Sequence, residues 1–214
     1  MAISTSAGAG GVELVTLRNG RRIAIRSIRP DDKSKMVEAF ERLSPESRYR
    51  RFFEPLQRLS DDELVYLTEV DHRDHEALVA LDESGTMGLG VARYVRSTDD
   101  SSVAEVAVTV VDDWQNMGIG TALISRLAER AQHEGIRRFS ALVQADNRQV
   151  LDLIRTVGEV RAESQGAELL LAIDLWEEPA HQQLRAVLRE AARSRLKIAR
   201  RDGPSGRRGA AAPS

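Results

Sequence analysis

The sequence predicts an α/β fold, and three observations carry that expectation. Short β-rich runs at 77–81, 88–95 and 103–111 are separated by turn residues, Glu83-Ser84-Gly85 and Ser97-Thr98-Asp99-Asp100, as hairpins require. From 103 to 157 the chain then reads strand, Gly-rich turn, helix, strand, helix. Ahead of these lie helix-start signals between 30 and 63.

The elements follow in order. Arg22-Ile23-Ala24-Ile25-Arg26-Ser27-Ile28 alternates apolar and polar residues, the period of a half-buried strand. Pro30 and Asp31 open a helix with Met36, Val37 and Phe40 on one face. Ser44-Pro45-Glu46-Ser47 opens a second, with a hydroxyl cap, a first-turn proline and early negative charge. Ser60-Asp61-Asp62-Glu63 reads as a capping box ahead of Leu64 and Leu67. After the three β-rich runs, 118–134 is a helix with Ala122, Leu123, Leu127 and Ala131 at helical spacing and Gly135 as its stop. A strand at 137–143, a helix at 147–157 closed by Gly158, and a strand at 169–173 complete the pattern.

The 214 residues, 42% hydrophobic, suffice for one well-cored domain, and no Pro/Gly-rich linker divides the middle. That domain is expected over 12–176. Residues 1–11, rich in Ala, Ser and Gly, are expected to be disordered; 177–200 reads as a basic helix and 201–214 as a flexible tail.

The formal net charge of -2 argues against a nucleic-acid partner held by overall positive charge. Cysteine is absent, which excludes disulfides, thiolate metal sites and a cysteine nucleophile and suits a reducing cytoplasm. No apolar run approaches the roughly 18 residues of a membrane span, and no secretory signal is seen. His72 and His75 lie three apart without the further ligands zinc requires, so no metal is expected.

The chemistry concentrates in Asp112-Asp113-Trp114-Gln115-Asn116-Met117-Gly118-Ile119-Gly120-Thr121. A turn entering a helix through two close glycines lets a ligand approach the backbone. The first helical amides have no internal partner, and the positive helix end makes them an anion site suited to a pyrophosphate. A lone Gly-x-Gly also marks ordinary strand-to-helix turns, and neither a Walker lysine nor a three-glycine dinucleotide spacing is present.

Gln115-x-x-Gly118-x-Gly120 after an apolar strand resembles the acetyl-CoA signature of the GNAT superfamily. Asp146-Asn147-Arg148 after the next strand is a second match, and Arg26-Ser27-Ile28-Arg29-Pro30-Asp31-Asp32 a third, so the likeness covers about 22–174. Ser44 to Phe53, Val70-Asp71-His72 with His75, and Ala104-Glu105-Val106-Ala107 are further similar to the catalytic domain of bacterial protein lysine acetyltransferases. The resemblance implies a twisted mixed sheet flanked by helices, with acetyl-CoA in the cleft between two splayed parallel strands. It implies transfer of the acetyl group to a primary amine, a protein lysine above all. A small amine as acceptor, or an acyl-CoA-sensing module without catalysis, is the rival expectation.

The roles follow. Glu105 is the candidate base, a carboxylate in an apolar strand whose neighbours are expected to desolvate it. The resemblance gives the main chain of Val108 and Val110 to pantetheine, by strand addition. Gln115, Asn116, Met117, Gly118, Ile119, Gly120 and Thr121 are assigned to the diphosphate, and Asn147 to the pantetheine chain. Ile154 stands where many family members carry a tyrosine that protonates the thiolate. Arg48, Arg50 and Arg51 are expected to be solvated, with Trp114 a packing residue.

Overall fold

The computed structural model describes residues 11–176. The expectations for 1–10 and for the basic helix and tail at 177–214 lie outside the described residues.

One eight-stranded sheet organises the domain, with strand order β1-β2-β3-β4-β5-β6-β8-β7. β1 (Glu13–Thr16), β2 (Arg22–Ser27), β3 (His75–Asp82), β4 (Gly88–Arg96) and β5 (Val103–Val110) are antiparallel neighbours in turn. β6 (Arg138–Gln144), β8 (Glu168–Leu175) and β7 (Gly158–Gln165) form a second antiparallel set. The two sets meet in one parallel contact between β5 and β6. That mixture of pairings is the expected mixed sheet.

The helices sit where their caps place them. A 3-10 turn at Pro30–Asp32 leads into α1 (Lys33–Glu41). Ser44 caps α2 (Pro45–Phe52) by accepting from Ser47 N. α3 (Asp61–Thr68) begins with the reciprocal Ser60–Glu63 capping box. α4 (Ile119–His133) buries Leu123, Ile124, Leu127 and Ala131, which with Ala92, Tyr94, Ala104 and Val106 form the largest core cluster. The opposite face of the sheet carries a smaller cluster with Ala77, Val79 and Leu81, against which Met36 of α1 packs.

Two strands escape the sequence pattern. β1 has four residues and an exposed Leu14, and β7 (Gly-Glu-Val-Arg-Ala-Glu-Ser-Gln) is an edge strand with little apolar alternation. Gly158 is therefore not a helix stop. α5 ends earlier (Arg148–Ile154), and Gly158 opens β7, where an added Cβ would lie 2.4 Å from the Asp174 carbonyl oxygen. Gly135, with φ of 81°, does end α4 as expected.

Candidate active site

Parallel pairing of β5 with β6 stops after three residue pairs: Val103–Arg138, Ala104–Phe139 and Glu105–Ser140. β5 continues along β4 to Val110, and β6 continues along β8 to Gln144. Beyond Glu105 the two strands therefore diverge, and a cavity of about 270 Å³ opens between them. Glu105, Val106, Ala107 and Val108 line one side, Ala141, Leu142 and Val143 the other, with Ile124 and Ile154 at the back.

Glu105 stands at the last paired position, exposed to solvent, not desolvated as its apolar neighbours led one to expect. Alternation turns the flanking Ala104 and Val106 into the core and leaves the glutamate on the other face. The apolar composition of the strand reports that opposite face, and so says little about the surroundings of Glu105.

A second, larger cavity of about 460 Å³ shares Val108, Asn147, Val150, Arg50 and Arg51 with the first. Val110, Gln115, Asn116, Gly118, Ile119, Gly120 and Thr121 also line it. Gly118 precedes α4 with φ of 93° and no side-chain cap, so the amides of the first turn are left for a ligand. Asn116, with φ of 61°, is likewise left-handed, which tightens the turn into the helix.

The two glycines have different reasons. At Gly118 an added Cβ would meet nothing within 4 Å, so the residue is required by φ. At Gly120 it would lie 3.2 Å from Leu153 Cδ2, so this glycine lets α4 pack against α5.

The other expected residues divide. The Gln115 amide nitrogen donates to Val110 O (3.2 Å), Asp112 Oδ1 (3.1 Å) and Ser47 Oγ (3.4 Å). Gln115 thus holds the loop to β5 and α2. Asn147 caps α5, its Oδ1 accepting from Val150 N at 3.2 Å, and lines both cavities. Met117 is not among the lining residues; it packs on the core, and its Sδ accepts from Asn19 Nδ2 at 3.5 Å. Ile154 is buried in the wall of the smaller cavity, an apolar side chain with no proton to give.

Arg50 and Arg51 line both cavities, contrary to their expected role as solvated residues. Only Arg48 of that helix is wholly structural, donating to Leu43 O, Gln57 O and Glu41 O and stacking over Phe40. Their common helix, α2, was legible; the place of Arg50 and Arg51 in the cleft was not. Trp114 packs as expected and also lies under Arg21, 4.9 Å from the ring centroid.

His72 Nδ1 contacts Glu76 Oε1 at 2.9 Å, and His75 Nε2 contacts Arg93 Nη1 at 3.1 Å. Both histidines are thus engaged by protein groups.

Comparison with known proteins agrees with this geometry. Residues 36–158 match the Acetyltransferase (GNAT) family. The chain belongs to the GNAT acetyltransferases. The enzyme is 32% identical over 163 residues to acetyltransferase Pat of Mycolicibacterium smegmatis, covering 75% of this chain and 48% of that relative. It thus spans about half the length of the mycobacterial protein. Acetyltransferase PA5475 of Pseudomonas aeruginosa is 32% identical over 147 residues, covering 68% of this chain and 78% of the other. The crystal structure of the GNAT domain of S. lividans PAT superposes with a TM-score of 0.71 at 31% identity, covering 77% of the enzyme and 97% of that domain. Family members draw their acetyl group from acetyl-CoA. Among the described residues no helix is long and apolar enough to cross a membrane.

Proposed function

We propose that the enzyme transfers the acetyl group of acetyl-CoA to the ε-amine of a protein lysine, by direct attack, with Glu105 as general base. The observation that carries this reading is the position of Glu105. It lies where β5 and β6 separate, at the cavity continuous in its lining with the one that presents the first turn of α4.

The main-chain amides of Ile119, Gly120 and Thr121 receive the diphosphate of coenzyme A, favoured by the helix dipole. The main chain of Val108 and Val110 pairs with the pantetheine amides as a further strand would, and the Asn147 NH₂ adds a donor on the opposite wall. The Val110 carbonyl already accepts from Gln115, so pantetheine engages it by sharing or by displacing that amide.

An amine reaching the thioester from the Glu105 face arrives as an ammonium, with pKa about 10.4, and must lose a proton to attack. Glu105 accepts it, directly or through one water. The thiolate leaves without an acid at Ile154, which is tolerable for a group whose conjugate thiol has a pKa of about 8.5. The protein-lysine acceptor is supported by the likeness of the Ser44–Phe53, Val70–His75 and Ala104–Ala107 segments to the lysine acetyltransferases.

Glu105→Gln tests the assignment. We expect kcat to fall about a hundredfold or more, with affinity for acetyl-CoA unchanged by calorimetry. An undiminished kcat would remove Glu105 from the proton path. Coenzyme binding without turnover in the unmutated chain would favour the sensing module.

A further inference from the structure

β5 turns Glu105, Ala107 and Thr109 to the sheet face opposite the α4 core. Cross-strand pairing sets Arg93 beside Ala107 and Val95 beside Glu105, and one strand further His75 beside Val95. Arg93 and His75 therefore share a face with the candidate base. α2 and α3 cover this region, contributing Arg51 and the Leu67 carbonyl.

Arg93 is only 4% exposed. Its Nη2 donates to Leu67 O (3.0 Å) and its Nη1 to His75 Nε2 (3.1 Å), while its buried Nε has no partner. Among the described residues Arg51 forms no hydrogen bond or ion pair; its guanidinium lies 4.9 Å from the Phe52 ring centroid. Neither guanidinium pairs with a carboxylate among the described residues, although the charge of Glu105 is felt at Arg51. The Thr109 hydroxyl, on the same face, is also buried without a partner.

Arg51 lines both cavities of the cleft and a third, apolar one of about 60 Å³ beneath α1 to α3, where it is joined by Arg93 and Thr109. Arg93 is drawn out of water and Arg51 partly so, neither is paired with a carboxylate among the described residues, and the groups respond. Burial lowers Arg51, and burial followed by the charge of Arg51 brings Arg93 down to about 9. An oxyanion entering between them relieves the repulsion and meets a guanidinium fork with free donors.

We propose that Arg51 and Arg93 form a carboxylate subsite beside the transfer centre, and that the acceptor presents its carboxylate there. The inference rests on reading Glu105 as the base of an amine acetyltransferase. The acceptor is the carrier because Arg93 and Thr109 lie on the sheet face that carries Glu105, whereas pantetheine runs in the cleft along the edge of β5; Arg51 borders both. On a peptide the group is an acidic side chain beside the target lysine; on a free amino acid it is the α-carboxylate.

The test uses the full chain, acetyl-CoA, and acceptor pairs in which a carboxylate is replaced by a carboxamide: peptides with Glu or Gln next to lysine, and lysine against lysinamide. We expect kcat/KM to favour the carboxylate member of at least one pair about tenfold or more. Arg51→Gln, compared at saturating acetyl-CoA, should bring that within-pair ratio near one, and Arg51→Lys should restore part of it. Equal kcat/KM within both pairs overturns the subsite. So does a preference found only in the donor, succinyl-CoA over acetyl-CoA and lost in Arg51→Gln, because the carboxylate then belongs to the acyl group. Discrimination between lysine and lysinamide without turnover of either peptide supports the subsite and overturns the protein-lysine reading. No turnover of any acceptor overturns both.

Discussion

The imidazole of His75 is held neutral by its surroundings. Burial, then the charge of Arg93, outweigh the pull of Asp71 and bring it from the ordinary 6.5 down to about 4, with His72 acting in the same direction as Arg93. Tyr66 of α3 packs against it, the rings tilted by 42° with 5.0 Å between centroids. Because the folded value is depressed, the unfolded chain binds more protons between about 6.5 and 4. Stability from this residue is therefore present above that window and lost as pH falls through it. Melting followed by circular dichroism should show a steeper loss of Tm between pH 6.5 and 4 in the unmutated chain than in His75→Gln, whose amide oxygen can still accept from Arg93. Equal slopes would mean that His75 is protonated in the fold without penalty. Single residues of the site were unevenly legible. Glu105 and Asn147 stand out by motif, and both line the cleft. The Arg51–Arg93 pair does not, because 42 positions separate the two in the chain and only the β3–β4–β5 register together with the packing of α2 brings them to one face.

Among the elements, the turn into α4 is the most demanding. Helix dipole and free amides were readable from Gly-x-Gly after an apolar strand, and the structure adds what each glycine is for. Gly118 occupies a left-handed conformation with open space around it, so Gly118→Ala isolates the backbone effect. We expect a loss of about 1–2 kcal/mol in urea denaturation, together with weaker acetyl-CoA binding by calorimetry as the first amides of α4 turn away. An unchanged Kd would separate the first turn of α4 from the grip on the diphosphate. β1 and β7 were illegible for a physical reason: both are edge strands, exposed on much of their surface, so their sequences lack the apolar alternation that burial imposes. Gly158 misled for a related reason. Its missing side chain answers a close approach of β8, a long-range fact that mimics the local signal of a helix stop.

At the scale of the molecule, two antiparallel sets of strands are joined by three residue pairs, and the cleft opens where that junction ends. The succession of elements along the chain was recoverable from β2 to β6, since helical and strand periods alternate there. The splay was expected from the family resemblance alone; where it begins was not readable, because that depends on where the pairing of distant strands stops. A coenzyme lying between β5 and β6 would occupy hydrogen-bonding positions that the sheet leaves open beyond Glu105, and would link the two sets. Ligand binding to the folded state alone adds RT ln(1 + [L]/Kd), about 2.7 kcal/mol at a hundredfold excess over Kd, so Tm should rise with acetyl-CoA concentration. The rise by itself does not say where the ligand lies, but amide exchange does. Hydrogen–deuterium exchange with acetyl-CoA should slow in peptides covering 106–121, the divergent end of β5 and the first turn of α4, with little change in β7, which lies at the far edge of the sheet. Slowing confined to α4 would mean that the diphosphate is held but the pantetheine does not pair with β5. The acetyl carbon would then lack the alignment with Glu105 on which direct attack depends.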